Sequence, residues 1–227
     1  MRKIAVLSGA GVSAESGIST FRDSNGLWEN YKVEEVASID GWHRNPELMI
    51  EFYNQRRAQL ENCKPNDAHK IIAELEKNFD VTVITQNVDN LHERGGSTNV
   101  IHLHGELTKV CSERNKKCVE DIQYRPIHYG DKAGDGALLR PFIVWFGEEV
   151  PLLNKAMEVI QEADIVIIIG TSLNVYPAAS LLYYASHNAL IYVIDPKKIQ
   201  PISRPVEFIR EKATDGMRKL RNILIRL

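Results

Sequence analysis

A chain of 227 residues with 44% apolar side chains can bury one large core, or a core plus a small inserted module. Its 28 basic and 30 acidic residues leave a formal charge of -2, which excludes a chain-wide field drawing it to nucleic acid or an anionic membrane. Three cysteines, Cys63, Cys111 and Cys118, cannot all pair, so no disulfide framework is expected.

Met1-Arg2-Lys3 leads into the apolar run Ile4–Leu7, which Gly9-Ala10-Gly11 cuts short; this reads as a first strand and not as a signal peptide. Pro46–Leu60 is predicted to be a helix, with Asn45 as its N-cap and Pro46 in its first turn. A second helix is expected over Asn66–Lys77, then short apolar strands at Val81–Ile84, Val100–Leu103 and Ile143–Trp145. Pro151–Glu162 reads as a helix and Ile165–Ile169 as a strand, the longest apolar run and far too short to span a membrane. Helix Pro177–His187, strand Ile191–Ile194 and helix Pro205–Leu224 complete the chain. Apolar strands alternating with helices indicate a doubly wound α/β parallel sheet covered on both faces. Residues 24–63 and 106–139 break the alternation and are expected to form a smaller inserted module. The larger part then comprises residues 1–23, 64–105 and 140–227 of a single domain. A soluble cytoplasmic protein is the expectation.

Gly9-Ala10-Gly11-Val12-Ser13-Ala14 follows the first strand directly and matches the Gly-x-Gly-x-x-Gly/Ala pattern of dinucleotide sites. Glycines permit a tight turn with close backbone approach, and the helix that follows offers N–H groups to a pyrophosphate. A hydride-transfer enzyme should next show a strand ending in an acidic residue about 20 positions on. Thr20-Phe21-Arg22-Asp23-Ser24-Asn25-Gly26-Leu27-Trp28 stands there and reads as a loop, so redox use of the dinucleotide is disfavoured.

The segment Gly9-Ala10-Gly11-Val12-Ser13-Ala14-Glu15-Ser16-Gly17-Ile18-Ser19-Thr20-Phe21-Arg22 closely resembles the NAD loop of the sirtuins. Thr85-Gln86-Asn87-Val88-Asp89-Asn90-Leu91-His92, His102-Leu103-His104-Gly105-Glu106-Leu107, Pro141-Phe142-Ile143-Val144-Trp145-Phe146-Gly147-Glu148 and Gly170-Thr171-Ser172-Leu173 follow in family order. The resemblance implies a Rossmann-like sheet and a protein lysine deacylase that consumes NAD. The acyl group leaves on the sugar as O-acyl-ADP-ribose, with release of nicotinamide and free lysine. It further implies that acylated lysine side chains are the partners and that the protein is a monomer.

Site residues follow from the same resemblance. His104 would be the general base, as suits an imidazole titrating near neutrality. His102, two positions earlier and expected on the same side of the strand, reads as a structural histidine. Asn87 and Gln86 would hold the nicotinamide ribose and Asp89 the carboxamide. Further NAD contacts are expected from Gly9, Ala10, Gly11, Ala14, Glu15, Thr20, Phe21, Arg22 and Trp28, and from Gly170, Thr171 and Ser172. Asp195, Pro196, Lys197 and Ala213 would serve the adenine side, although many relatives carry Asn where this chain has Asp195. Val144, Phe146, Gly147 and Glu148 on one side, and Leu173, Asn174 and Val175 on the other, match segments between which substrate binds as an added strand.

Helical spacing places Arg56 in the apolar stripe of Met49, Phe52, Tyr53 and Leu60, three residues from Tyr53. A guanidinium on an inward face is costly without an anion. Tyr-x-x-Arg here resembles the branch of the family that removes succinyl and malonyl groups, where both side chains bind the acyl carboxylate; the alternative is an internal salt bridge. Sirtuins commonly hold a structural zinc with two Cys-x-x-Cys pairs. This chain has only Cys111 and Cys118 after His104, so no zinc is expected. The competing functional readings are an NAD hydrolase or ADP-ribosyltransferase on the same fold, and a non-catalytic interaction domain.

Overall fold

The computed structural model describes residues 1–18, 31–173, 175–197 and 204–226. In chain order the elements are β1 (Lys3–Ser8), α1 (Gly11–Ala14), α2 (Val33–Val36), α3 (Ile39–Arg44), α4 (Pro46–Asn62), α5 (Asp67–Leu75), β2 (Asp80–Thr85), α6 (Leu91–Arg94) and β3 (Val100–His102). They continue with β4 (Gly105–Ser112), β5 (Val119–Asp121), β6 (Leu139–Ile143), α7 (Leu153–Glu162), β7 (Ile165–Ile169), a 3-10 helix (Ala178–Tyr184), β8 (Leu190–Ile194), β9 (Glu207–Ile209) and α8 (Ala213–Leu224).

Six strands form one sheet in the order β3-β2-β1-β7-β8-β9, with every pairing parallel. Its central strands are apolar at consecutive positions because both faces are covered. Along β1, Ile4 and Val6 share a core with Ile72 of α5 and Met217 and Leu220 of α8. Ala5 and Leu7 share the opposite core with Ala156 and Ile160 of α7 and Leu181 of the 3-10 helix. This period-two partition is what a doubly wound sheet requires.

A second, antiparallel sheet of order β5-β4-β6 packs its apolar side chains with those of α4 and the short helices before it. Strand Leu139–Ile143 therefore belongs here; it begins earlier than the predicted Ile143–Trp145 and pairs antiparallel with β4, outside the main sheet. The alternation that should have revealed β4 is broken by a register shift between Gly105 and Val110. Two predicted helices also differ. Pro177–His187 is a 3-10 turn over Ala178–Tyr184, and Pro205–Leu224 contains edge strand β9 before α8 starts at Ala213.

The order of the main sheet reverses between β1 and β7, and ligands of such sheets bind beyond the carboxyl ends of the strands at that point. Gly9 follows β1 and Gly170 follows β7. A Cβ on Gly11 would lie 2.7 Å from Gly170 Cα, and Gly170 has φ +61°, so two glycine turns meet backbone to backbone.

Candidate active site

Beneath the Gly9–Ala14 turn, side chains from three elements are joined by hydrogen bonds of fixed direction. Asn66 caps α5, and its backbone N–H donates to His69 Nδ1 at 3.3 Å. The proton of neutral His69 is therefore on Nε2, which faces Ser13 Oγ at 3.4 Å. Ser13 also accepts from Asn87 Nδ2 at 3.1 Å and donates its own proton to Asp89 Oδ2 at 3.0 Å. Both acceptor positions and the donor of Ser13 are thus used. Burial holds His69 down at about 4, so it stays in this neutral form at physiological pH. Asn87 Nδ2 also reaches the Gly9 carbonyl at 3.2 Å, tying the turn after β2 to the turn after β1.

His102 ends β3 and His104 lies beyond it, so the two do not share a strand as expected. They instead contact consecutive carbonyls. His102 Nδ1 is 3.0 Å from Asn87 O and its Nε2 is 2.7 Å from Glu93 Oε1. Burial lowers its affinity for a proton, but the Glu93 carboxylate outweighs that and leaves His102 above the usual imidazole range. With acceptors at both nitrogens its surroundings favour the protonated form, as suits a structural role. His104 Nδ1 is 3.0 Å from Gln86 O, and burial holds this imidazole below its usual range. A carbonyl can only accept, so Nδ1 carries the proton and Nε2 is the basic nitrogen. Gly105 follows with φ +81°, and a Cβ there would sit 2.1 Å from Phe142 O; only glycine lets the chain reverse directly after His104.

The donor set suits a nucleotide ribose and an amide. Gln86 accepts from Thr171 Oγ1 at 3.2 Å, while its Nε2 is buried with no partner among the described residues, a donor suited to a sugar hydroxyl. Asp89 is buried, and each oxygen accepts one hydrogen bond, from Ser13 Oγ and from Leu91 N. A carboxylate has about four acceptor positions, which leaves room for a carboxamide N–H. Burial raises its affinity for a proton.

Helix α4 carries the arginine that the sequence placed in an apolar stripe. Asn45 Oδ1 accepts from Leu48 N and Pro46 occupies the first turn, as predicted. Tyr53 is 2% exposed, and burial pushes its phenol up to about 12. The Arg56 guanidinium carbon lies 5.8 Å from the Phe52 ring centre and 6.0 Å from that of Tyr53. Burial lowers the Arg56 pKa against attraction from Tyr53 and Asp89, so its charge reaches the carboxylate of the nucleotide turn.

The Sir2 family model matches residues 9–177. The chain belongs to the Sir2 family, the sirtuins. A protein of Bacteroides thetaiotaomicron named NAD-dependent protein deacylase is 56% identical, over 99% of each chain. A solved Sir2 homolog–NAD complex is 39% identical with a TM-score of 0.89, covering 99% of this chain and 90% of that one. A Sir2 variant solved with a deacetylated p53 peptide and 3′-O-acetyl ADP-ribose is 29% identical with a TM-score of 0.84, covering 98% and 93%.

Several residues expected in this sirtuin's site are differently employed. Both Glu15 oxygens accept from Thr214, through its backbone N at 3.0 Å and its hydroxyl at 2.8 Å. The N-cap residue Lys212 makes no side-chain cap among the described residues, so Glu15 serves the positive end of α8. Ala213 is buried in the core under that helix. One Asp195 oxygen accepts from Lys197 N at 2.8 Å, closing a turn after β8 that includes Pro196. Glu148 is held inside the protein: Arg140 and Lys116 pair with it, and Trp145 N donates to it at 2.9 Å. Main-chain groups expected to pair with substrate are partly occupied. Phe146 N and O bond Ala37 O and Ile39 N, and Val144 N bonds His104 O. Gly147 has φ +91°, and Leu173 adopts φ 54°, an uncommon conformation for a leucine. Thr20, Phe21, Arg22, Trp28 and Asn174 lie outside the described residues.

Sequence reasoning missed Ser13 and His69, although Ser13 lies inside the fingerprint and Asn66-x-x-His69 is a capping-box spacing. It also passed over Arg57. That residue is fully buried, donating Nε to Leu107 O at 2.9 Å and Nη1 to Asn54 Oδ1 at 2.8 Å. Asn54 in turn bonds Ile127 through both its amide atoms, stitching α4 to the smaller sheet's side of the molecule. In that sheet Cys111 is buried with its thiol pushed up to about 11. Among the described residues no group of three or more His, Cys, Asp and Glu side chains is placed to hold a metal ion.

Proposed function

We infer that this sirtuin is an NAD-dependent protein lysine deacylase, transferring an acyl group from a modified lysine to ADP-ribose with release of nicotinamide. The observation that carries it is His104, its Nδ1 proton held by Gln86 O and its basic Nε2 without a hydrogen-bond partner among the described residues, against the turn that bears Asn87 and Asp89. When bound, NAD supplies an electrophilic ribose carbon with nicotinamide as its leaving group. Gln86 and Asn87 hold the ribose hydroxyls, Asp89 holds the carboxamide, and His104 takes a hydroxyl proton at Nε2. The Ser13–His69 web keeps Asn87 and Asp89 oriented.

Acidic acyl groups, succinyl and malonyl, are accepted as well as acetyl. Arg56 offers a fork to the terminal carboxylate and Tyr53 a hydroxyl donor. In the same reading the enzyme is a cytoplasmic monomer with no nucleic-acid or membrane partner, in keeping with its near-neutral charge. The small sheet is metal-free, and metal analysis giving one zinc per chain would overturn that part. Parallel assays with acetyl-, succinyl- and malonyl-lysine peptides and NAD test the reading. O-acyl-ADP-ribose is expected from all three; no product from any peptide refutes deacylation, and product from acetyl alone refutes the acidic pocket.

A further inference from the structure

The hydroxyl of Tyr53 is already engaged inside the protein. Trp145 Nε1 lies 2.9 Å from Tyr53 Oη, and both residues are 2% exposed. An indole N–H can only donate, so Tyr53 oxygen accepts here and its single O–H proton must be directed elsewhere. The indole that sets this is itself firmly held. The Arg140 guanidinium carbon stands 3.6 Å from its ring centre, and the Trp42 ring is stacked 5.2 Å away. Arg140 makes a two-pronged pair with Glu148, at 2.8 and 3.0 Å, and Glu148 also accepts from the backbone N of Trp145. Trp42 Nε1 donates to Glu113 at 2.8 Å. The chain of contacts thus runs from the smaller sheet to the side of α4 that carries Tyr53 and Arg56.

We propose that Trp145 is a specificity-determining positioning residue: by donating to Tyr53 Oη it leaves the Tyr53 proton for a carboxylate at the end of the acyl chain, beside Arg56. This rests on the acidic-acyl reading above. A tyrosine free to rotate its O–H could satisfy that proton on any nearby carbonyl; one whose oxygen is held by an N–H presents a donor of set direction. An acetyl group has no terminal carboxylate to receive it, so the effect is confined to acidic acyl groups. Arg140 and Glu148 act one step further back, by holding the indole.

The test is a double-mutant cycle read as the ratio of kcat/KM on succinyl- to acetyl-lysine peptide, for Trp145→Phe, Tyr53→Phe and the double variant. Trp145→Phe removes the N–H and keeps an aromatic ring against Arg140. The ratio should fall about fivefold to tenfold, the size of one lost hydrogen bond, and mainly through KM for the succinyl peptide. The double variant should be no lower than Tyr53→Phe alone, because Trp145 acts only through that hydroxyl. Should Trp145→Phe fold poorly, replacing Trp145 with benzothienylalanine, which has the indole shape without the N–H, should give the same drop. Equal losses on both peptides, or additive effects in the cycle, overturn the proposal while leaving the acidic-acyl reading intact. A ratio unmoved by Tyr53→Phe overturns both.

Discussion

His104 Nδ1 lies 3.0 Å from the carbonyl oxygen of Gln86, so one backbone acceptor decides which imidazole nitrogen can act as a base. Gln86 also accepts from Thr171 through its side chain, and the next residue, Asn87, reaches the Gly9 carbonyl. His104 and the Gln86–Asn87 turn are therefore parts of one hydrogen-bonded unit, at the carboxyl edge of the main sheet.

Burial lowers the His104 pKa, and the Gln86 carbonyl only partly opposes this. A depressed imidazole keeps its neutral, proton-accepting form to lower pH than a free histidine. The acid limb of kcat/KM should therefore be centred below about 6.5, the unperturbed histidine value. His104→Ala should lower kcat by about 10²- to 10⁴-fold, as for other general bases. A pH–rate profile of the wild-type enzyme checks the first expectation; an acid limb centred above 7 would assign the titration to another group.

Arg56→Met removes the charge beside Tyr53 and keeps much of the side-chain volume. Turnover of succinyl- and malonyl-lysine peptides should fall by at least about 10-fold relative to acetyl, since a charge-assisted hydrogen bond contributes about 1.5–3 kcal/mol. Steady-state kinetics on the three peptides measure it. Equal losses on all three would make Arg56 a structural residue.

Glu15 caps α8 across 199 residues of sequence. Glu15→Ala should lower unfolding stability by about 1 kcal/mol, as for loss of a helix cap, while KM for NAD changes less than twofold. Urea unfolding and NAD titration separate the two. A large rise in KM for NAD at unchanged stability would return Glu15 to the nucleotide site.

His69 is buried and neutral, with its pKa held to about 4, and His92 is pushed well below the usual range. For these groups the unfolded chain binds protons that the folded one does not, so stability falls as pH drops below about 6.5. From pH 6.5 to 5, His69 alone should cost about 1.5 kcal/mol, the slope reaching about 1.4 kcal/mol per pH unit only below the unfolded pKa, and His92 adds in the same direction. His102 has the opposite sign: its raised pKa contributes stability that is lost as pH rises through the folded value and fully present only well below the unfolded one, so it offsets a small part of this loss. Denaturant unfolding at the two pH values should show a shallower loss for His69→Gln than for wild type. Identical slopes would mean that His69 is not held neutral.

The main sheet was legible because β1, β7 and β8 are apolar at consecutive positions, as strands covered on both faces are. The turn at Gln86–Asp89 and the histidine at position 104 were legible through family blocks, and the fold brings His104 against Gln86 and the Asn87 turn. The smaller sheet was not legible. Glu106 and Lys109 interrupt β4, its register shifts after Gly105, and its partners lie at sequence distances that no local pattern encodes. The internal partners of Glu15 and Glu148 were not legible for a related reason. A carboxylate in a family motif looks the same whether it meets a ligand or, as here, Thr214 and Arg140. Arg57 was not legible because Arg56 beside it completes the Tyr-x-x-Arg spacing, although Met49, Tyr53 and Arg57 also lie four apart along one face of α4.

Nicotinamide release, followed with and without an acyl-lysine peptide at saturating NAD, bears most directly on the central claim. Release that depends on the peptide, and stops when the same peptide carries unmodified lysine, is the result expected of a deacylase with His104 as base. Release at the same rate without any peptide would contradict it and make the protein an NAD hydrolase.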